Sequence, residues 1–570
     1  MTSEAILSGP MKQLGWLLLA VLPGCVAGSL NERAFYPQAE FRLVPEDLNL
    51  EAEAFVVPVE GALLHAWRFR APESGGDVLV VCGGNSDNKE LFLPLARGVV
   101  DAGLDVVLFD ARGFGLSTGE PDLWSLVPDG AAVLQRVCAD PATRHVAVFG
   151  VSLGSPVALA VADRMAERID AVVVESLLVP RHALAQEIGG FAAFLTGWAV
   201  IPAGFDVADH ARELEQPVLF VHGAEDELTE LEPAAQVFAA ARTARAPRAI
   251  WIAADAGHAP GIAGLYGGEY LAQLMRFLEA ALRGAPDHAR VEVDWNAPQE
   301  SAVVELGPDA VAHTPVEITL VRELAGPLSA RVFADPGHAT AVPFPGAGAV
   351  IGAFGNVPAG EVAKRADGGW ERAAPELEAE RACLALEEWA YERLGYGKLL
   401  RVGDVRVFYR FGEEPAPEQL AAACAEARAR LEETEEGGLP PDVQMARAEL
   451  WRALARRCVE LGDESGAGAA IERALALFPA DPFAAVRYGD ASWQLGVRMD
   501  DLAADVEAVA GLIRDADRRA ELQRMAEGWR EVQQERDLWL EDWLARQRAE
   551  RDRLATAAGA SVSEAEGRPQ

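Results

Sequence analysis

Basic residues are scarce in this sequence. Among its 570 residues, 51 are lysine or arginine and 88 are aspartate or glutamate, which gives a net charge of -37 at pH 7. Because nucleic-acid binding needs basic patches, this charge argues against a nucleic-acid partner. The negative charge favours solubility and provides no attraction to anionic lipid surfaces.

Paired cysteines and metal-binding motifs are also missing. The six cysteines show no paired or metal-like spacing. Four of them lie in apolar patterns where we expect buried, unreactive thiols: Cys82, Cys138, Cys424 and Cys458. The sequence has no H-E-x-x-H motif, no cluster of histidines and cysteines, and no G-x-G-x-x-G after a strand. We therefore expect catalysis without a metal ion or a cofactor.

One N-terminal segment has the character of an export signal. Met11-Lys-Gln precedes an apolar core, Leu14 to Leu22, which is short for a membrane span. Leu22-Pro-Gly-Cys25 resembles the lipobox of bacterial lipoproteins, in which the cysteine is acylated. We expect translation to start at Met11 and a lipid anchor on Cys25 to hold the protein in the bacterial cell envelope. The alternatives are plain secretion, or a retained anchor or a cytoplasmic protein. No other stretch is apolar enough to span a bilayer.

The chain is too long for one ordinary domain, and its composition changes along its length. After a signal segment (1–25) and a lead-in (26–50), residues 51–283 alternate apolar strands with amphipathic helices, which predicts a parallel sheet covered on both faces. Residues 284–415 read as a β-rich region with a helical stretch at 373–396, residues 416–555 as helical, and residues 556–570 as a disordered tail. The predicted strands of the first region are Ala54–Val59, Leu63–Phe69, Val78–Cys82, Val106–Phe109, Val146–Phe149, Ala171–Val174, Val218–Val221 and Ala249–Ala253.

The helical region has a repeat-like pattern and a tryptophan-rich end. Ala448 to Pro479 fits the tetratricopeptide spacing, and Pro482 to Leu495 fits the start of a second repeat. A plain helical hairpin is the alternative. Trp529, Trp539 and Trp543 lie roughly on one face of a charged helix, which we expect to dock on the helical bundle or on a protein partner.

Gly150-Val-Ser-Leu-Gly154 is the most informative motif. It follows an apolar strand and precedes a helix-compatible segment, which is the context of a nucleophile elbow. Such a turn would lift the Ser152 hydroxyl out of the sheet. A serine hydroxyl is a poor nucleophile without a base, so a histidine is needed to take its proton.

His258 and Asp226 are the candidates to complete the site. His258 follows the last predicted strand of the sheet, and Asp226 follows the strand before it, where a carboxylate can orient the imidazole. Glu175, at the end of an earlier strand, is the rival third member. Asp255 is nearer to His258 in sequence, but its loop gives no reason to point inward. His222 lies inside an apolar run, and we expect it to be structural.

These motifs together resemble the alpha/beta-hydrolase superfamily, in particular bacterial serine hydrolases of the serine-aminopeptidase and esterase type. The resemblance covers residues 40–283. It depends on the Ser152, Asp226 and His258 motifs and on two glycine-rich loops, Val80-Val-Cys-Gly-Gly-Asn85 and Phe109-Asp-Ala-Arg-Gly-Phe-Gly-Leu-Ser-Thr-Gly119. It implies an α/β fold, in which a hydrolase sheet with helices on both faces is followed by the small β-rich region and an all-α bundle.

The resemblance also implies the partners of the oxyanion. By its match, the backbone N–H groups of Leu153 and Gly84 hold the oxyanion. The family commonly has His-Gly where this chain has Cys82-Gly83-Gly84. We expect the polar residues 85–88 to cap the helix that starts at Lys89, and Asp110 and Arg112 to fix their own loop by pairing.

Two functions from different classes fit the sequence. The first is a serine hydrolase that cleaves a small-molecule carboxylic ester, or alternatively a peptide or amide, through an acyl-enzyme. The apolar segment 177–215 would form its lid. The second is an inactive hydrolase-like scaffold whose helical region binds proteins.

Overall fold

An eight-stranded mixed sheet dominates the first half of the chain. The computed structural model describes most of residues 34–284 except 184–201 and 260–266, much of 291–410, and the helices between 416 and 559 except 434–440 and 478–498. The strand order is β1-β2-β4-β3-β5-β6-β7-β8, with β3 to β8 parallel and β1 and β2 antiparallel at one edge. The strands are β1 Ala52–Val59, β2 Ala62–Phe69, β3 Asp77–Cys82, β4 Asp105–Phe109, β5 His145–Val151, β6 Ala171–Glu175, β7 Val218–Gly223 and β8 Arg248–Ala253. All eight predicted strands are therefore confirmed.

Helices cover both faces of this sheet. The parallel strands read as continuous apolar runs because both of their faces are buried, as in β3, where every residue is buried. The helices are α1 Leu93–Asp101, α2 Leu126–Cys138, α3 Gly154–Arg164, α4 Val207–Glu213, α5 Leu231–Ala240 and α6 Gly267–Arg283. One core joins the sheet to α2, α3 and α5, and a second joins its other face to α1 and α6. The predicted α/β architecture is confirmed.

The connection after β6 is described only at its two ends. A short 3-10 helix, Ala203–Phe205, and α4 follow residues 184–201. The central part of the predicted lid, 177–215, therefore lies outside the described residues.

The middle region is built from short antiparallel sheets, as predicted. Two three-stranded sheets have the orders β13-β10-β9 and β12-β11-β14, and two hairpins pair β15 with β16 and β17 with β18. Most of the predicted helical stretch at 373–396 lies outside the described residues. The strands are β9 Val291–Asn296, β10 Ser301–Leu306, β11 Thr314–Arg322, β12 Ala325–Ala334, β13 Thr340–Pro343, β14 Val350–Asn356, β15 Val362–Lys364, β16 Trp370–Arg372, β17 Lys398–Val402 and β18 Val405–Tyr409.

The last region is helical. Its helices are α7 Pro417–Glu432, α8 Pro441–Leu461, α9 Glu464–Leu477, α10 Met499–Leu512 and α11 Ala516–Ala557. The first predicted repeat forms the hairpin of α8 and α9, and the second falls on residues outside those described. No helix in the described part of the chain is long and apolar enough to cross a membrane. Residues 1–30, with Cys25, also lie outside the described residues.

One of the four cysteines, Cys138, lies differently from our expectation. Cys424 on α7 and Cys458 on α8 are buried as expected, and they lie close enough to shift each other's pKa, a proximity that the sequence spacing hides. Cys138 is only half-buried, and its thiol lies 3.8 Å from the Arg168 carbonyl oxygen. Cys82 is fully buried, and burial raises the pKa of its thiol to about 12, so it is unreactive as expected.

The long helix α11 contacts both the helical bundle and the sheet domain. Trp529 belongs to the core of the bundle, whereas Trp543 belongs to the core on the α1 and α6 face of the sheet. Trp539 does not share this burial and remains 38% exposed. The predicted docking helix therefore packs on two parts of its own chain.

Candidate active site

The turn between β5 and α3 holds Ser152 in a backbone conformation that non-glycine residues rarely adopt. Its φ is 50°, and its N–H donates to the carbonyl oxygen of Glu175 at the end of β6, at 3.0 Å. A Cβ on Gly150 would lie 2.3 Å from the Gly154 carbonyl oxygen, and one on Gly154 would lie 2.1 Å from that of Cys82. Only glycine fits at either position, so the motif forms the tight elbow that its spacing predicts.

Asp226 and His258 meet at the same edge of the sheet. His258 Nδ1 lies 3.0 Å from Asp226 Oδ2 and 3.2 Å from Oδ1, and each residue is only 5% exposed. Asp226 also accepts hydrogen bonds from the backbone N–H groups of Leu228 and Thr229 and from the Thr229 hydroxyl. Every polar contact of this carboxylate therefore stabilises its ionised form and fixes its orientation.

The electrostatics of Asp226 follow from these contacts. Burial alone raises the pKa of Asp226, but the hydrogen bond and charge of His258, the charge of His222 and the Thr229 N–H outweigh it and hold the pKa well below its usual range. An ionised carboxylate against Nδ1 stabilises a proton gained at the far nitrogen, Nε2. The pair can therefore act as an oriented base.

His222 lies beneath this pair. Its Nε2–H donates to the Thr229 carbonyl oxygen at 2.6 Å, and burial lowers its pKa. It thereby supports the turn that presents Asp226, in agreement with the structural role expected from its apolar surroundings. Thr229 was missed from the sequence. A hydroxyl three residues after the acid was its only signal.

Glu175 makes other contacts. Its buried carboxylate accepts a hydrogen bond from the Tyr270 hydroxyl of α6 at 2.8 Å, and burial together with this carboxylate raises the pKa of Tyr270. Of the two acids weighed as third member, Asp226 is the one in contact with His258. Asp255 lies outside the described residues.

The end of β6 anchors both the elbow and the histidine loop. Ser176 has a φ of 46° and is fully buried. Its N–H donates to the Val221 carbonyl oxygen, and its hydroxyl accepts the N–H of Ala259 at 2.8 Å. Glu175 and Ser176 are adjacent residues at the end of β6. The first accepts the N–H of Ser152 and the second accepts the N–H of the residue after His258, so both loops are held at one edge of the sheet. Among the described residues the side chains of Ser152 and His258 form no hydrogen bond with each other, a contact that often closes only when substrate binds.

The two candidate oxyanion donors border one small cavity. The loop after β3 packs tightly on the elbow, because a Cβ on Gly154 would also meet the Gly83 carbonyl oxygen at 2.5 Å. Gly84 and Leu153 line a cavity of about 30 Å³ together with Lys89 and Asp129. This space holds one group about the size of a water oxygen. The structure therefore places Gly84 and Leu153 on the wall of one cavity.

A buried ion pair lies behind this cavity. Lys89 pairs with Asp110, and both side chains are fully inaccessible. Asp110 also accepts the N–H groups of Lys89 and Leu116, at 2.8 and 2.9 Å. Arg112 instead binds Asp129 at 2.7 Å. The expected pairing of Asp110 with Arg112 is therefore wrong: each side chain pairs with a residue outside their loop. Lys89 is one of few lysines in this chain, and we did not recognise it from the sequence as the partner of Asp110.

The start of the next helix agrees with the prediction from sequence. The Asn88 side chain accepts the N–H of Glu90 at 2.9 Å and so caps a 3-10 turn, Lys89–Phe92, that leads into α1. Among the described residues, no group of three or more histidine, cysteine or acidic side chains is arranged to hold a metal ion.

Parts of the chain are similar to known proteins. Residues 75–200 match a family model described as serine aminopeptidase, S33. The chain is 26% identical over 222 residues to the alpha/beta hydrolase domain-containing protein WAV2 of Arabidopsis thaliana, covering 36% of this chain and 68% of that protein. It is 32% identical over 193 residues to the uncharacterized protein Rv2307c of Mycobacterium tuberculosis, covering 32% of this chain and 64% of that protein. The chain thus spans about two thirds of the length of each relative.

A solved structure matches as well. An esterase of Pyrococcus furiosus aligns at 18% identity with a TM-score of 0.37, covering 44% of this chain and 98% of that one. The family match runs from β3 to beyond β6 and includes the elbow.

Proposed function

We propose that this chain, which carries an alpha/beta-hydrolase domain, is a serine hydrolase that cleaves a carboxylic ester through an acyl-enzyme. The observation that carries this proposal is the contact of His258 with Asp226 at 3.0 Å, at the sheet edge where Ser152 adopts a φ of 50°. A peptide or amide substrate is the alternative that the same chemistry allows.

The proposed reaction begins with the Ser152 hydroxyl. Its oxygen attacks the ester carbonyl carbon while His258 Nε2 takes its proton, and Asp226 stabilises the imidazolium that forms. The carbonyl oxygen becomes an oxyanion beside the N–H groups of Leu153 and Gly84. The imidazolium then protonates the leaving alcohol, whose bond to carbon breaks. A water molecule, deprotonated by His258, attacks the acyl-enzyme and releases the acid and the free serine.

The test is covalent labelling with a fluorophosphonate, followed by mass spectrometry of the labelled peptide. We expect the wild-type chain to be labelled at Ser152 and Ser152→Ala to remain unlabelled. His258→Ala and Asp226→Asn should be labelled far more slowly. Glu175→Gln is the matched control for the acid, since it changes the other carboxylate at this edge.

The outcomes separate the two functions. A folded wild-type chain that is not labelled, and that hydrolyses no p-nitrophenyl ester or aminoacyl amide in a panel, would overturn the enzyme and favour a binding scaffold. Faster hydrolysis of esters than of amides would support the ester substrate. Labelling of Ser152→Ala at the wild-type rate would remove that serine from the reaction.

We further propose that the chain is exported and that Cys25 carries the lipid anchor. The support is the sequence Leu22-Pro-Gly-Cys25 after a short apolar core. Radiolabelled palmitate should be incorporated into the wild-type chain in a bacterial host and not into Cys25→Ser. Equal incorporation into both would contradict the anchor.

A further inference from the structure

The C-terminal helix α11 packs against residues 36–47 of the lead-in segment (26–50). The Trp543 ring lies 5.7 Å from that of Phe41, centroid to centroid, and its indole N–H donates to Glu46 Oε1 at 3.1 Å. Two turns earlier on α11, Arg536 forms a buried ion pair with Asp47. Only 2% of Trp543 is exposed. The lead-in segment is therefore held by aromatic packing and by charge at once.

The same lead-in segment holds the loop that follows β3. The N–H of Tyr36 donates to the carbonyl oxygen of Asn85 at 2.8 Å. The Asn88 side-chain amide donates to the carbonyl oxygen of Glu40 at 2.6 Å. The N–H of Leu43 donates to the carboxylate of Glu90 at 3.1 Å. Residues just after Gly84 are thus bound to the lead-in segment along its length.

Lys89 links the loop to the aromatic cluster that Trp543 completes. Its Nζ lies 4.2 Å from the centroid of Trp67 and 5.3 Å from that of Phe41. Trp543 packs against both of those rings, 6.1 Å from Trp67 and 5.7 Å from Phe41. A cation buried in an apolar site depends on such rings and on its counter-ion, here Asp110. The positions of these rings therefore restrict where Lys89 and the loop before it can lie.

We propose that α11 is a positioning element for the oxyanion loop: through Trp543 and Arg536 it fixes the lead-in segment, and thereby the Gly84 N–H beside the Leu153 N–H. This inference rests on the proposed function. An oxyanion donor acts only when it is held within a fraction of an ångström of its working position. Contacts from a region outside the sheet domain would supply that restraint.

The experiment compares two large apolar residues of the same helix in the full-length chain. Trp543→Ala removes the buried ring, and Leu538→Ala, at a position that is 60% exposed, is the control. An oxyanion contact is made only in the transition state, so its loss lowers kcat and leaves KM unchanged. We expect kcat for a p-nitrophenyl ester to fall about 10- to 100-fold in Trp543→Ala, with KM within about two-fold. Leu538→Ala should stay within about two-fold, and Trp543→Phe should recover most of the activity.

A second variant guards against simple unfolding. Trp543→Ala leaves a cavity, so activity is measured well below its Tm and per labelled Ser152. The double variant Asp47→Asn with Arg536→Met removes the ion pair without burying a lone charge, and we expect kcat to fall about 3- to 10-fold. Hydrogen exchange should rise first in the amides of residues 84–92.

Each result has one meaning. A folded Trp543→Ala protein with wild-type kcat and wild-type exchange in residues 84–92 would overturn the positioning role. A change in kcat no larger than that of Leu538→Ala would do the same. If the wild-type chain itself is not labelled, the proposed function fails. The exchange measurement then still decides whether α11 holds the loop.

Discussion

The sheet domain and the helical region differ in where their backbones are strained. In the sheet domain, three non-glycine residues with positive φ end strands or begin loops at one edge: Ser152 at 50°, Ser176 at 46° and Ala259 at 52°. In the described part of the helical region, residues 416–559, positive φ occurs at Gly462 and Gly559, where glycine adopts it without cost. Strain that a protein maintains tends to mark a working site. Here it falls on the edge that carries the candidate active site.

Buried charge separates the two regions in the same way. In the helical region, Arg452 and Arg456 share Asp505 and so tie α8 to α10. In the sheet domain, Lys89 and Asp110 lie beside the cavity lined by Gly84 and Leu153. The first network joins helices, and the second joins the loops around a site. Substitutions in the two regions should therefore affect different measurements.

The largest effect is expected from Asp226→Asn. The amide keeps the size of the side chain but removes the charge that orients and stabilises the imidazolium, so kcat should fall by about 10⁴-fold. Ester hydrolysis and circular dichroism of the same sample measure this. A fall smaller than about ten-fold would contradict the role of Asp226.

Asp505→Asn is the counterpart in the helical region. It removes the carboxylate that Arg452 and Arg456 share, and Arg452 keeps only its pair with Glu449. The free energy of unfolding should fall by about 1.5–3 kcal/mol. Urea denaturation measures this loss. At low temperature the folded protein should keep its wild-type kcat, and a kcat loss as large as that of Asp226→Asn would erase the contrast between the regions.

A pair of glycines sharpens the comparison. Gly154→Ala places a Cβ 2.1 Å from a backbone oxygen, whereas Gly511→Ala, in α10, meets nothing within 4 Å. The first should cost about 1–3 kcal/mol of stability and lower labelling at Ser152. The second should stabilise the protein by up to about 1 kcal/mol, because alanine favours the helix. Thermal unfolding of both variants decides this, and equal Tm shifts would count against the tight elbow.

The smallest effect is a pH dependence at the junction of the two regions. Burial raises the pKa of Glu90 to about 7, although N–H groups of Leu43 and Arg42 oppose this. Between pH about 4.5 and about 7, the unfolded chain has lost this proton and the folded chain retains it, so Glu90 makes stability fall as pH rises. Glu90→Gln should remove that fall and gain about 1 kcal/mol at pH 8.

The control for Glu90→Gln is Glu541→Gln, an exposed position on α11. It should leave the pH profile of the Tm unchanged. If the difference between wild type and Glu90→Gln is the same at pH 4 and pH 8, the raised pKa of Glu90 is wrong.

Much of the sheet domain could be predicted because its signals are local. A parallel strand buried on both faces is a short apolar run, and each of the eight runs became a strand. The elbow was equally readable, since Gly150 and Gly154 are required by atoms within the turn and the adjacent loop. A helix was expected between β4 and β5, but the bounds of Leu126–Cys138 were not predicted, although Val133 and Val137 on its buried face give a helical spacing.

The contacts that complete the site were not readable. No local pattern marks Thr229, Ser176 or Lys89 as part of the site. Their roles come from contacts with distant or folded-together partners, which are Asp226 for Thr229, Ala259 for Ser176 and Asp110 for Lys89. The same holds for Cys424 and Cys458, whose proximity depends on how α7 packs on α8.

The amino-acid sequence alone determined the α/β sheet, the elbow at Ser152 and the order of the serine, acid and histidine, because apolar periodicity and tight turns depend on neighbouring residues. Only the tertiary structure decided that Asp226 rather than Glu175 contacts His258, that β6 anchors both loops, and that α11 returns to the lead-in segment. Those contacts join residues far apart in the chain. Their partners are set by how strands order and helices pack, and no local pattern records that.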